Sequence, residues 1–255
     1  MHRELLFCMV LLAHDMACAE DPVQVYVGEG ELNYIGSLDK ESNQRLFALY
    51  DGLTTKPTTL AIRSRGGDVV LGMELGEWVH AHRLNVKVME FCLSSCANYV
   101  FSAGARKIVS SHAMVGFHGG LSSSRDPIDA TSIKGYEALT DTQKADITAQ
   151  LKQVFQLQAE REAAFFKTVG VRQDLTTYGQ QERFAKVVRD GWTFTQKCFG
   201  HFGVDNIEVI NPPWSPRLLT LKTEIATLDC SDSATISGSK KVGRRGEPRP
   251  TPNME

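Results

Sequence analysis

The sequence lacks the features that would assign it at once to several broad classes. Its formal net charge is only -2 over 255 residues, so it has no broad basic surface of the kind that binds nucleic acid. It has no apolar run of the roughly 18 residues that a membrane-spanning helix requires. No segment repeats at a fixed period. These absences favour a single globular enzyme or binding domain.

The sequence also lacks a recognisable set of metal ligands. His80 and His82 form a His-x-His pair, but no Asp, Glu or further His stands at a spacing typical of a metal site. The pair is better interpreted as two polar residues near the end of a helix. We therefore expect no metal and no cofactor.

The two ends of the chain differ from its centre. Residues 1–19 combine a basic start, an apolar stretch from Leu5 to Ala13 and the sequence Ala17-Cys18-Ala19, which predicts a signal peptide cleaved after Ala19 and a secreted or periplasmic protein. A buried N-terminal element is the alternative. Residues 231–255 are rich in Ser, Gly, Pro and charge, and predict a disordered basic tail. The folded domain is then expected within residues 20–230.

Export changes the interpretation of the six cysteines. Four would remain after cleavage, and an even number in an oxidising compartment predicts disulfides, although sequence alone does not fix their pairing. We favour Cys92 with Cys96 and Cys198 with Cys230.

Short apolar runs alternate with longer amphipathic stretches throughout the centre of the chain. This alternation predicts a single α/β domain. The predicted strands are 23–27, 34–36, 58–62, 86–89, 107–109 and 113–117, and the predicted helices are 40–50, 69–82, 95–103, 141–169 and 192–202.

Polar and glycine residues stand where predicted strands end. Gly66-Gly67 separates a strand from a helix, so main-chain N–H groups there could approach an anion. Ser95 stands at a second strand-to-helix junction, where its hydroxyl and the N–H of Cys96 would face one point. His118 leaves a third strand as a potential general base. Each feature alone is more often a turn, a helix cap or a structural histidine.

Taken together, these features resemble the Clp peptidase family of the Clp/crotonase superfamily, and more closely its secreted bacterial members. The family has a strand ending in Ser-x-Gly-Gly, a serine nine residues before the glycine of an Ala-Gly pair, and a strand ending in histidine. Ser64-Arg65-Gly66-Gly67, Ser95 with Ala103-Gly104, and Phe117-His118 match this order. The resemblance spans Leu60 to Gly119 and implies a ClpP/crotonase-like superhelix of β-β-α units.

The resemblance implies an exported serine peptidase. Ser95 would be the nucleophile and His118 the general base, with an oxyanion hole formed by the N–H groups of Gly67 and Cys96. The third residue is less defined: the family spacing falls one position from Asp190, Asp174 is the alternative, and a Ser-His pair without a carboxylate is also consistent.

The same resemblance implies an extended peptide or protein substrate and assembly into a homo-oligomer of undefined size. The expected peptide-binding residues are Gly66, Asp68, Val69, Gly119 and Gly120. Two other functions remain open at this point. One is a ClpP-like peptide-binding or scaffold protein without turnover, and the other, disfavoured by export, is a crotonase-type enzyme acting on an acyl-CoA.

Overall fold

A computed structural model of the chain describes residues 22–123, 133, 135–219 and 221–230. The predicted signal peptide and all of the predicted basic tail lie outside the described residues. Within them the chain is a mixed α/β protein with a mixed sheet and several helices. The α/β class expected from the alternation of short and long segments is therefore confirmed.

The described residues contain ten strands and four α-helices, together with one π-helix and several short 3-10 helices. The strands are β1 (Gln24–Gly28), β2 (Glu31–Ile35), β3 (Thr59–Arg63), β4 (Asn85–Val88), β5 (Phe91–Leu93), β6 (Lys107–Ser110), β7 (Met114–Gly116), β8 (Gly191–Phe194), β9 (Ile207–Ile210) and β10 (Ile225–Leu228). The α-helices are α1 (Lys40–Gly52), α2 (Val69–Ala81), α3 (Asp141–Val169) and α4 (Gln196–His201), and the π-helix spans Cys96–Phe101.

The main sheet has six strands in the order β1-β2-β3-β4-β6-β9. β1 and β2 form an antiparallel hairpin, and every later pair in this sheet is parallel. Helices connect several of the parallel strands, as parallel pairing requires long crossovers. The carboxyl ends of β3 and β4 therefore lie at the same edge of the sheet.

Two small parallel pairs of strands, β5-β7 and β8-β10, lie outside the main sheet. A bridge between Ser64 and Cys92 joins the end of β3 to β5, and an antiparallel bridge between Phe117 and Trp192 joins the end of β7 to β8. The chain thus continues from the main sheet into a second set of strands. This arrangement brings the ends of β3, β5 and β7 close together.

The π-helix is the most buried helix of the described chain, since all six of its residues are buried. It packs against α2, where Gly72 and Gly76 lie one turn apart. A Cβ atom at Gly72 would come within 2.9 Å of the Cβ of Ser95, and one at Gly76 within 2.8 Å of the Tyr99 carbonyl oxygen. Only glycine at these two positions allows the helices to approach so closely.

α3 begins and ends as its sequence predicts. Thr140 and Gln143 form a capping box at its start, and Gly170, with φ of 72°, ends it in the left-handed region. Its first five turns are largely exposed, whereas Glu162, Phe165 and Phe166 are buried in its last third. The apolar stripe therefore packs inward only toward the end of the helix.

The structure corrects one predicted helix. The segment 192–202 was expected to be a single helix, but Gly191–Phe194 is the strand β8 and only Gln196–His201 is helical. The side chain of Thr195 caps the short helix by accepting from the N–H of Cys198. The run of buried residues in Trp192 to Phe194 belongs to a strand because it pairs with β10.

Both predicted disulfides are present, Cys92 with Cys96 and Cys198 with Cys230. Within the described ranges, no group of His, Cys, Asp and Glu side chains could hold a metal ion. His82 instead bonds through Nδ1 to the Trp78 carbonyl oxygen at 2.8 Å. None of the described helices is long and apolar enough to cross a membrane.

Lys107 carries a charge into the core of the main sheet. It lies in β6 between β4 and β9 and is 5% exposed. Burial lowers the pKa of its ammonium group to about 8, and the nearby negative charge of Asp205 opposes this shift only in part. At neutral pH the folded protein therefore holds a proton that the site disfavours.

We predict that Lys107→Met stabilises the fold at pH 7 by about 2 kcal/mol. The unfolded lysine loses its proton near pH 10.5 and the folded one near pH 8, so the unfolded state holds the extra proton between these values. The free energy of unfolding of the wild type should rise relative to that of the variant as the pH increases from 8 to 10. Chemical denaturation of both proteins across this range checks the prediction, and parallel curves would refute it.

Candidate active site

A tight turn at Ser94 connects β5 to the π-helix. Ser94 has φ of 55°, in the left-handed region that residues other than glycine rarely adopt. Its N–H donates to the Gly116 carbonyl oxygen at 2.9 Å, and its carbonyl oxygen accepts from the N–H of Asn98 at 2.8 Å. The first bond fixes the turn to β7 and the second starts the helix, so the turn is held from both sides.

The disulfide between Cys92 and Cys96 brackets this turn. Cys92 lies in β5, Cys96 is the first residue of the π-helix, and both are fully buried. Their Cα atoms are 5.3 Å apart. The bond therefore fixes the end of the strand to the start of the helix and limits the conformations available to the residues between them.

His118 meets the Ser94 turn because their strands are neighbours. β5 and β7 run parallel with Leu93 opposite Gly116, so the residues that follow each strand emerge at the same edge. Nε2 of His118 lies 2.7 Å from Oγ of Ser94, a hydrogen-bond distance. The His118 ring is exposed and Ser94 is partly exposed, so this pair is open to solvent.

The contact expected between Ser95 and His118 is not formed, and this part of the sequence prediction is wrong. Ser95 is only 2% exposed. Its hydroxyl donates to the carbonyl oxygen of Gly67 at 2.9 Å. The hydroxyl that contacts the imidazole is that of Ser94, one residue earlier.

The helix that follows the Ser94 turn is a π-helix, Cys96–Phe101. Ser95 lies nine residues before Gly104 and Ser94 lies ten before it. A π-helical turn takes up one more residue than an α-helical turn. A serine that is one position further from Gly104 can therefore occupy the end of the strand.

The glycine pair after β3 approaches the turn closely. Gly66 has φ of 98° and Gly67 has φ of 152°. A Cβ atom at Gly66 would come within 2.8 Å of the Ser94 Cβ and 3.0 Å of the Ser95 nitrogen. The main chain of Gly66-Gly67 thus lies against the N–H of Ser95, which is the amide that directly follows Ser94.

Neither predicted carboxylate contacts His118. Asp190 accepts through Oδ2 from the N–H of Glu224 at 2.7 Å and so caps the start of β10. Asp174 pairs with Arg172 at 2.6 Å on the surface. Asp190 immediately precedes β8, where its side chain turns toward β10. The prediction that Asp190 lies beside the imidazole is therefore also wrong. In the portion of the chain that the structure describes, no carboxylate contacts the ring.

The loop after His118 is fixed by its own main-chain groups. Nδ2 of Asn98 donates to the Gly119 carbonyl oxygen at 2.8 Å, and the Gly120 N–H donates to Oγ of Ser123 at 2.6 Å. Nε2 of Gln180 lies 3.3 Å from the His118 carbonyl oxygen. These hydrogen bonds fix the position of His118 at the end of β7.

Some polar groups of the residues expected to bind a peptide already form hydrogen bonds within the protein. The side chain of Asp68 caps α2 by accepting from the N–H of Leu71 at 2.9 Å, and Val69 is the first residue of that helix. The Gly119 carbonyl and the Gly120 N–H are engaged within the loop. Peptide binding by these residues and by Gly66 stays a prediction.

Sequence reasoning missed Ser94 and Asn98. The adjacent serines gave no signal to distinguish them, because the choice depends on the π-helix and on the left-handed conformation of Ser94. Asn98 lies four residues after Ser94, a spacing that places two side chains on the same face of a helix. That spacing is a signal that a search for polar residues near Ser94 could have used.

No protein-family model and no curated protein matches this chain.

We predict that Gly66→Ala destabilises the fold by about 3 kcal/mol, because alanine meets both an unfavourable φ and the atoms of the Ser94 turn. Gly30→Ala is the matched control: Gly30 also has a positive φ, of 76°, but a Cβ atom there meets nothing within 4 Å. The control should cost about 1 kcal/mol. Chemical denaturation measures both, and equal losses would contradict the close packing of Gly66 against the turn.

Proposed function

We propose that this protein is an exported serine hydrolase in which Ser94 is the nucleophile and His118 the general base. The observation that carries the proposal is the 2.7 Å distance between Oγ of Ser94 and Nε2 of His118 on a turn that is open to solvent. A serine hydroxyl is a weak nucleophile at neutral pH, and an imidazole at hydrogen-bond distance can take its proton as it attacks.

The reaction would begin when Oγ of Ser94 attacks a carbonyl carbon. Nε2 of His118 takes the hydroxyl proton, and the carbonyl oxygen becomes an oxyanion in a tetrahedral intermediate. His118 then gives the proton to the leaving amine, and the amine departs from an acyl-Ser94. A water molecule, deprotonated by the same imidazole, then attacks the acyl carbon, and Oγ of Ser94 leaves as it takes the proton back from His118.

The N–H groups of Ser95 and Gly67 are the proposed donors to the oxyanion. Ser95 directly follows the nucleophile, and its amide belongs to the first turn of a helix, where N–H groups have no partner within the helix. The main chain of Gly67 is held by the Ser95 hydroxyl at 2.9 Å. In this proposal Ser95 contributes its amide to the site, while its hydroxyl orients the main chain of Gly67.

The substrate class rests on the resemblance to the Clp peptidase family. Peptides or proteins that bind in an extended form would lie along the edge formed by the residues after β3 and by the loop after His118. The two disulfides are compatible with export, because such bonds persist in oxidising compartments. A ClpP-like superhelix and assembly into an oligomer belong to the same proposal.

One observation favours a second candidate function, a ClpP-like protein that binds peptides without cleaving them. The described residues provide no carboxylate to orient His118, and both predicted aspartates have other partners. Losing the acid from a Ser-His-Asp site can cost about four orders of magnitude in rate. Peptide binding without acylation of Ser94 would support this function.

Two single substitutions test the proposed nucleophile. We expect Ser94→Ala to abolish labelling by a fluorophosphonate probe and to lower any peptide hydrolysis by about four to six orders of magnitude. Ser95→Ala keeps the Cβ atom and the amide and removes only the bond to Gly67, so it should slow labelling by about 10-fold. Loss of labelling in Ser95→Ala with normal labelling in Ser94→Ala would overturn the assignment.

The two disulfides allow a matched test of the turn itself. The disulfide between Cys198 and Cys230, which are 32 residues apart, should stabilise the fold by about 4 kcal/mol. The disulfide between Cys92 and Cys96, which are four residues apart, should stabilise it by about 2 kcal/mol. We nevertheless expect the double alanine variant of Cys92 and Cys96 to be labelled about 10-fold more slowly, because Ser94 loses its constraint. The variant of the other pair should be less stable but labelled at the normal rate. Equal labelling rates would show that the disulfide does not support the turn.

A further inference from the structure

Glu162 is a carboxylate buried in the core near the Ser94 turn. It lies in the last third of α3 and is 0% exposed. A carboxyl group is rarely fully buried unless hydrogen bonds compensate for its lost hydration. The mechanism proposed above does not use it, so its place in the core requires another explanation.

The carboxylate joins two elements that carry the Ser94 and His118 pair. Oε1 of Glu162 accepts from the Tyr99 hydroxyl at 2.6 Å and from the Leu121 N–H at 3.3 Å. Tyr99 belongs to the π-helix that begins just after Ser94, and Leu121 lies three residues after His118. A single oxygen atom therefore contacts both sides of the site.

The second oxygen and the surrounding packing fix the carboxylate in place. Oε2 accepts from Nε2 of Gln173 at 2.7 Å. A Cβ atom at Gly120 would come within 2.9 Å of Oε1 and of the Thr176 hydroxyl. The loop after His118 thus passes directly over the carboxylate, and glycine at position 120 permits this approach.

Tyr99 is suited to be a permanent donor to Glu162. Burial raises the pKa of its phenol, and the neighbouring Glu162 carboxylate raises it further. The proton therefore stays on the Tyr99 oxygen throughout the physiological range. The hydrogen bond between this phenol and the carboxylate is short and charge-assisted, which makes it stronger than a bond between neutral groups.

We propose that Glu162 is a positioning residue that holds the π-helix after the Ser94 turn and the loop after His118 at a fixed separation. The inference rests on the proposed function for its catalytic consequence, although the mechanical link can be measured without any reaction. Glu162 does not touch the reacting atoms. Its effect on rate would come from the alignment of Ser94 and His118, since a displacement of about 1 Å can cost about 100-fold in rate.

Three variants and one control variant separate positioning from folding. Glu162→Met keeps most of the volume but removes both acceptors. Glu162→Gln retains one oxygen for Tyr99 and Leu121, and the amide of Gln173 can turn its own oxygen toward the new NH2 group, so this variant should rescue the site. Tyr99→Phe removes one donor, and Tyr34→Phe is its control, because Tyr34 is also fully buried but bonds to the Ser37 carbonyl oxygen instead.

Hydrogen–deuterium exchange measures the mechanical link. We expect the amides of 119–123 to exchange at least about 10-fold faster in Glu162→Met and in Tyr99→Phe than in the wild type, which corresponds to a loss of about 1.4 kcal/mol of local stability. Exchange in Glu162→Gln and Tyr34→Phe should be near the wild-type rate. Unchanged exchange in folded Glu162→Met and Tyr99→Phe would overturn the inference whether or not the protein is an enzyme.

The kinetics of fluorophosphonate labelling measure the consequence for the site. We expect the maximal labelling rate at saturating probe to fall about 100-fold in Glu162→Met and about 10-fold in Tyr99→Phe, with little change in the probe concentration at half-saturation. A general loss of folded protein would instead lower the amount labelled at an unchanged rate. Normal maximal rates in both variants would contradict positioning.

The two proposals fail in different ways. If the wild type is never labelled at Ser94, the proposed hydrolase function fails, while the exchange measurement still decides whether Glu162 links the two elements. If the wild type is labelled and the variants react and exchange normally, only the role of Glu162 fails.

Discussion

The left-handed backbone at Ser94 is the constraint on which the candidate site depends. A residue with a side chain in this conformation costs about 1 to 2 kcal/mol, so the surrounding structure must compensate. Two main-chain hydrogen bonds, one to Gly116 and one from Asn98, hold the turn. Together with the buried disulfide, they favour this conformation over a relaxed one, and the turn brings the Ser94 hydroxyl to the imidazole of His118.

The rest of the site is arranged around that turn by close approach. Gly66 leaves room for the main chain after β3 to lie against Ser94, and Gly72 lets α2 pack against the Cβ of Ser95. The loop after His118 is held from beneath by Asn98 and by the buried Glu162. Elements far apart in sequence thus meet at one edge, and each contributes either Ser94 or His118 or a group that fixes the position of one of them.

Much of the architecture could be predicted from the sequence because it follows from local patterns. Alternating apolar runs predicted the α/β class, the Gly170 end of α3 followed from its sequence, and the favoured cysteine pairs are the ones that form. Most of the predicted strands lie within two or three residues of the observed ones. His118 follows β7 and is exposed, as its position between an apolar strand and a glycine pair predicts.

The errors share a physical cause, since each depends on a contact that is distant in sequence or on an irregular helix. Ser95 matches the serine position of the Clp peptidase family when counted from Gly104, but a π-helix follows the turn and Ser94 is the serine that contacts His118. Asp190 was expected beside His118, but its place is set by the start of β10. Nothing in the sequence indicated that Glu162 is buried, because it is one acidic residue on a long amphipathic helix. Its burial depends on the loop that packs above it.

The most direct test of the account is a crystal structure of the protein after reaction with a fluorophosphonate. The account predicts a covalent bond between phosphorus and Oγ of Ser94, with the phosphoryl oxygen within hydrogen-bond distance of the N–H groups of Ser95 and Gly67. A bond to Ser95, or an adduct on Ser94 whose oxygen points away from both amides, would contradict it.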